Sequence, residues 1–341
     1  MSQRVSRVFD IARLLPFISL LIFALACGVS AAFAQHGQGL GELHVQQVQG
    51  RVYMISGAGG NVTVQVGDEA LAIVDTGTAE MSNKVLAAIQ NISNKPIAFI
   101  INTSGDEDHT GGNSAIARAG SKELSGAAGD QTIDVAGQSR EGASIVAHIN
   151  VLNRMIDPGG KRAAIPKGNW PTDTYDTSNW KIFNDEAIVI YHAPAAHTDG
   201  DSFVFFRRSD VVSAGELFVP SRFPIVDEEK GGNIDGIIDA LTALIDDVLV
   251  PRENEEGGTI VIPGRGRLCD RTDVTNYRDM LAIVRGRIAD LVKKGKTLKE
   301  VKDSKPTFGF DGLYGADSGP WTTDMFVEAV YRDLTKDKNH K

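Results

Sequence analysis

The chain has 341 residues, 42% of them hydrophobic and 23% charged, with a formal net charge of −9. It is too apolar for a disordered chain, and too acidic, with no lysine or arginine run, for a nucleic-acid surface. Of its two cysteines, Cys27 falls in an N-terminal leader and Cys269 is then alone, so a disulfide scaffold is excluded and an apolar core must supply the stability.

Residues 1–34 read as a signal peptide. Arg4, Arg7 and Arg13 give a basic start, residues 14–26 are apolar, and Ala32-Phe33-Ala34 is a small-x-small cleavage signal. The remainder, 35–341, is expected to be exported, periplasmic or secreted. The apolar run is shorter than the roughly 20 residues of a spanning helix, so no integral membrane segment is expected after cleavage. Ala24-Leu25-Ala26-Cys27 is an imperfect lipoprotein box and leaves a lipid anchor as the alternative.

Residues 45–55, 61–66 and 71–74 are rich in β-branched side chains and separated by glycine turns, which predicts strands. Asp75-Thr76-Gly77-Thr78 opens a helix with Val85, Leu86 and Ile89 on one face. A strand at 97–101 then leads into the acidic loop 102–113, NTSGDEDHTGGN, whose Asn113 is placed to cap another helix. Residues 120–143, rich in Gly, Ser, Ala and Asp, read as a flexible insertion. Residues 157–180 form an irregular stretch with two readings, a packed surface loop and a lid over the site. Strands return at 187–191, 203–207 and 211–213, followed by a helix at 234–248 and a buried strand at 259–262. The helix at 272–294 carries Val274, Tyr277, Leu281, Val284, Ile288 and Leu291 on one face, and Gly295 closes it. With strands and helices mixed throughout and no composition break, a single layered α/β domain over 35–341 is expected, with C-terminal helices from about residue 272.

Four motifs fall at strand ends: SGDEDHTGGN at 104–113, APAAHTDGDS at 193–202, SAGELF at 213–218 and VIPGRGRLCD at 261–270. Together with Asp75-Thr76-Gly77, their order, spacing and glycine content resemble the metallo-β-lactamase superfamily over nearly all of residues 45–270. The resemblance implies a four-layer αββα sandwich whose loops bind one or two metals. The family pattern His-x-His-x-Asp-His corresponds to Ser104-Gly105-Asp106-Glu107-Asp108-His109. The third family histidine is His197, the bridging aspartate has become Glu216, and the last histidine is Arg265, so four of seven ligand positions differ.

Zinc needs about four N, S or O donors in a tetrahedron. By the resemblance the first metal position keeps His197, with Asp106 as a replacement ligand and Ser104 as a poor one. The second keeps Asp108, His109 and Glu216, but Arg265 brings a guanidinium with no lone pair to donate. Two readings follow. Arg265 replaces the second metal by pairing with Asp108 and Glu216, whose burial would otherwise be very costly, and it can stabilise an oxyanion there. Alternatively, Asp106, Asp108, His109, His197 and Glu216 hold one divalent ion, the oxygen-rich set suiting iron, manganese or even calcium better than zinc.

Asp108 and Arg265 are therefore the candidate catalytic residues, and those five side chains the candidate metal ligands. A Ser104–His109 nucleophile pair lacks an orienting acid and an elbow motif. His148 and His192 read as packing residues, Asp75, Asp199 and Asp201 as caps or supports for the loops, and Cys269 as a buried filler. Two functions are implied. One is an exported, metal-dependent hydrolase acting on an ester, lactam, lactone or phosphoester; the other is a non-catalytic descendant that binds a small molecule or partner.

Overall fold

The computed structural model describes residues 41–121, 142–157, 165–250 and 258–336. The leader, Cys27, His36, His340 and almost all of the 120–143 insertion lie outside them. Leu40–Lys341 forms one compact unit.

Seven strands make the first sheet in chain order: β1 (His44–Gln49), β2 (Val52–Ala58), β3 (Gly60–Val66), β4 (Leu71–Val74), β5 (Ile97–Ile101), β6 (Ser144–His148) and β7 (Asp173–Tyr175). The first four are antiparallel neighbours, and β4 to β7 run parallel. The second sheet has the order β12-β11-β10-β9-β8, from β8 (Ser178–Phe183), β9 (Glu186–Ala193), β10 (Asp201–Phe206), β11 (Val211–Ser213) and β12 (Ile260–Ile262). Its pairs are antiparallel except β11 with β12. The helices are α1 (Ser82–Ile92), α2 (Glu107–Thr110), α3 (Asn113–Arg118), α4 (Ile149–Ile156), α5 (Ile234–Ala243), α6 (Arg271–Lys293), α7 (Leu298–Asp303), α8 (Asp311–Tyr314) and α9 (Thr323–Lys336).

The layering follows from strand alternation. Along β4, Ala72 and Val74 face the second sheet, while Leu71 and Ile73 face α1 and α3. Along β10, Val204 and Phe206 face the first sheet, while Phe203 and Phe205 pack against α5 and α6. Helices thus cover both outer faces of two stacked sheets, giving the αββα sandwich. Each fully buried side chain such as Phe206 or Ile100 contributes about 1.5–3 kcal/mol by leaving water.

Several expectations are corrected. Residues 45–55 are not one strand, because Gly50, at φ +55°, turns the chain between β1 and β2. Asn113 does not cap α3; it is the helix's first residue, and its side chain bonds with Asn102 and Thr76 instead. The 157–180 stretch contains β7 and the start of β8, and its Trp170 packs on Ala147, Val151 and Met155. Strand β6 and helix α4, which follow the insertion, have no counterpart in the sequence reading. Residues 244–248 leave the α5 geometry as a π-type turn.

Among the described residues no helix is long and apolar enough to cross a membrane. The ends of β4, β5, β11 and β12 and the start of β10 all open on one edge. Ser202 N–H donates to the Thr103 carbonyl at 2.8 Å, and Asn61 N–H to the Gly264 carbonyl at 2.8 Å, so the two sheets are joined there.

Candidate functional site

Asp75 follows β4 in a left-handed conformation, φ 59°, which costs a non-glycine residue energy and is offset here by its hydrogen bonds. Its carboxylate accepts from Thr103 N–H at 2.8 Å, from Thr103 Oγ1 at 2.6 Å and from His109 Nδ1 at 2.7 Å. These contacts hold the loop after β5 and aim His109, on the one-turn helix α2, inward. Gly215, at φ +54° after β11, lets the chain pass Thr103: an added Cβ would lie 2.4 Å from Thr103 Oγ1.

The buried His109 imidazole stands among three carboxylates. Beyond Asp75 on Nδ1, its Nε2 lies 3.3 Å from Glu216 Oε1 and 3.6 Å from Asp108 Oδ2. Burial pulls its pKa down, but Asp75 and Asp108 outweigh it and the net is well above the ordinary histidine value.

Arg265 donates to Asp108 and to the Gly59 carbonyl, and its Nε is 3.4 Å from Glu216 Oε1. It thus stands against the two carboxylates that the sequence reading pairs with it. A second guanidinium, unanticipated, joins it: Arg222 Nη2 donates to Glu216 Oε2 at 2.5 Å. Burial pushes the Glu216 carboxyl up, yet His109 and Arg222 hold it well below the usual range.

Around His197 lies a matching cluster. Its Nε2 is 3.4 Å from Asp106 Oδ2, and its Nδ1 is 3.5 Å from Asp201 Oδ1 without hydrogen-bond geometry. Burial opposes the imidazole's charge, but Asp201 and Asp106 prevail and its pKa rises to about 9. Lys230, also absent from the sequence reading, donates to Asp106 Oδ1 at 2.6 Å and lies 3.0 Å from Asp227 Oδ2. Burial raises the Asp106 pKa, but His197 and Lys230 bring the net below its ordinary value.

The other candidates are also placed. Asp75 does orient His109, which corrects the expectation that no acid does, but Ser104 is buried and its Oγ accepts from Asp106 N–H at 3.2 Å, a turn contact rather than a nucleophile pair. His148 and His192 stack at 3.7 Å, and His192 Nε2 sits 2.9 Å from the Asp199 carbonyl, so the pair supports that loop. The Asp199 side chain is bound by Arg154. Asp201 accepts from Thr198 N–H and Oγ1, both at 2.7 Å. The Cys269 thiol is buried and pushed up to about 12, which makes it unreactive.

The structure therefore brings Asp106, Asp108, His109, His197, Glu216 and Arg265 to one edge, in two clusters. As placed, the candidate ligands do not fit a metal. Asp108, His109 and Glu216 do converge, with donor atoms within 4.8 Å of one another. Two guanidiniums, however, hold those carboxylates, and an ammonium holds Asp106. A cation at Asp108, His109 and Glu216 would have to displace two like charges, and one at Asp106 a third. Asp108, bonded to Arg265, is likewise no free base.

Beside the site, a cavity of about 410 Å³ opens between the turn at 227–229 and α9. Trp321, Met325, Glu328 and Asp227 line it, so it shares Asp227 with the Lys230 cluster.

A family model described as the metallo-beta-lactamase superfamily matches residues 56–257. No curated protein matches the chain in sequence. Among solved structures, the stereoselective inverting sec-alkylsulfatase Pisa1 from Pseudomonas sp. superposes with a TM-score of 0.64 at 16% identity, over 85% of this chain and 50% of that one. The chain thus spans about half the length of that sulfatase. A metallo-beta-lactamase from Pontibacter korlensis superposes with a TM-score of 0.52 at 14% identity, over 71% of this chain and 99% of that one. At these identities the likeness is one of fold.

Proposed function

Because the chain belongs to the metallo-beta-lactamase superfamily, we propose that it keeps the superfamily's fold and site edge while having exchanged metal-dependent hydrolysis for the binding of a small molecule. The observation that carries this reading is the pairing of Arg265 and Arg222 with Asp108 and Glu216. A guanidinium cannot lower the pKa of a bound water as a metal does, so the water activation of a metallohydrolase has no source here.

The adjoining cavity has room for a small ligand, and it is lined by Glu228, Glu229, Glu328 and Arg332 rather than by the paired site residues. The leader sequence alone supports export, so the proposed setting is periplasmic or secreted. Incubation with ester, lactam, lactone and phosphoester substrates, with and without chelator, tests the reading. No turnover above buffer is expected; turnover that chelation abolishes would contradict it.

The convergence of Asp108, His109 and Glu216 favours a second reading, a hydrolase with one divalent ion. It requires Arg265 and Arg222 to withdraw from those carboxylates, and chelator-sensitive turnover is its signature.

A further inference from the structure

Lys230 is the third cation of the site, and its position is built rather than incidental. It ends a short 3₁₀ turn, Glu228–Lys230, which Asp227 caps by accepting from Lys230 N–H at 3.1 Å. Its carbonyl accepts from Arg154 Nη2 at 2.7 Å and from Asp199 N–H at 3.0 Å, which fastens the turn to α4 and to the His197 loop. Gly231 and Gly232 follow. A Cβ on Gly232 would come within 2.0 Å of the His197 carbonyl, so the chain passes the loop as closely as glycine permits.

From that frame the side chain reaches back across the site. It is 15% exposed, and its ammonium meets carboxylates from two separate segments, Asp106 after β5 and Asp227 after β11. The second oxygen of Asp106 faces His197 Nε2. The two groups that hold the ammonium are thus carboxylates, donors of the kind that binds a divalent cation, and Asp106 in turn meets an imidazole.

We propose that Lys230 is a built-in cation, its ammonium filling a cation position between Asp106 and Asp227, so that Lys230 and a divalent metal exclude one another there. This rests on the cation-paired reading of the site, but it concerns a different cluster from the one at Asp108 and Glu216. A lysine here is fixed by geometry and by charge on both sides. It is neither a nucleophile nor a base, because burial lowers its pKa less than Asp106 and Asp227 raise it.

The test is thermal unfolding of the full chain as wild type, Lys230→Met, Asp106→Asn and the double variant, each in chelator and in excess Mn²⁺. Lys230→Met keeps the stem and removes the charge, leaving Asp106 and Asp227 without their shared cation. Its midpoint in chelator should fall by roughly 5–8 °C, the loss expected when one partner of a buried pair is removed. Mn²⁺ should restore part of that loss in Lys230→Met and none in wild type. Adding Asp106→Asn should recover stability in chelator and abolish the Mn²⁺ response. If Lys230→Met does not fold, recovery in the double variant still supports the proposal. A double variant no more stable than Lys230→Met, or a Lys230→Met variant that responds to Mn²⁺ no more than wild type, overturns it. Metal found in the wild-type protein at Asp108, His109 and Glu216 would refute the binding reading and leave this result standing.

Discussion

Removing the two guanidiniums one at a time ranks the contacts of the second cluster. Arg222→Met takes the cation from Glu216 Oε2, whose side chain is 4% exposed, and leaves His109 Nε2 at 3.3 Å and Arg265 Nε at 3.4 Å, both on Oε1. Breaking a buried pair from one side costs about 3–5 kcal/mol, because a desolvated charge is left behind. Arg222 itself is 25% exposed and His109 still faces Glu216, so the lower end, about 3 kcal/mol, is expected. Arg265→Met strips Asp108, which is 18% exposed, and Arg265 is 36% exposed, so water screens more of that pair. About 2 kcal/mol is expected there. With an unfolding entropy of about 2.1 cal/mol/K per residue over roughly 300 residues, these losses lower the midpoint by about 5 °C and 3 °C. Thermal unfolding in chelator reads both. A midpoint that stays or rises in either variant, or a larger loss for Arg265→Met, would refute the reasoning that buried carboxylates require these cations.

Stability should also fall on the alkaline side. The His197 pKa is raised to about 9 in the folded state, so its contribution is complete below about 6.5 and is lost as pH rises through 9. The full loss is at most about 3 kcal/mol, and His109, shifted in the same direction, adds to it. Urea midpoints equal at pH 6 and pH 9.5 would exclude this. Asp75→Asn should lower the His109 imidazole pKa, followed by NMR titration, because a neutral amide no longer holds the Nδ1 proton; an unchanged titration would deny Asp75 that role. Gly215→Ala should cost more than about 2 kcal/mol, since it adds a backbone penalty at positive φ to a 2.4 Å clash with Thr103; an unaffected midpoint would mean the loop is free to shift. Changing Ser104, Asp106 and Arg265 together to histidine should not recreate a zinc site, because Lys230 and Arg222 remain; zinc uptake should require Lys230→Met and Arg222→Met as well. Stoichiometric zinc in the triple variant would contradict this.

What has a period or a motif is legible in the sequence. Strand β4 is legible as a short apolar run with β-branched residues, and the long helix α6 because its apolar positions repeat at three to four. Strand β8 was not, because its alternation runs Ser178-Asn179-Trp180-Lys181-Ile182-Phe183 and turns its large side chains, Trp180 and Ile182, outward. The ligand loops were readable from glycine spacing, including the place of Arg265. Lys230 and Arg222 were missed because they sit in connections with no pattern of their own. One signal was available: the acidic motifs hold more carboxylates than one arginine can neutralise, and burial does not permit the excess. Counting charge across the four motifs would have called for further cations nearby.

The direct measurement is the metal content of the full chain purified from its native compartment without chelator. The account predicts well below one metal ion per chain, with an unfolding midpoint that chelation leaves unchanged. One or two equivalents of tightly held metal, lost in Asp108→Ala and His197→Ala, would contradict it.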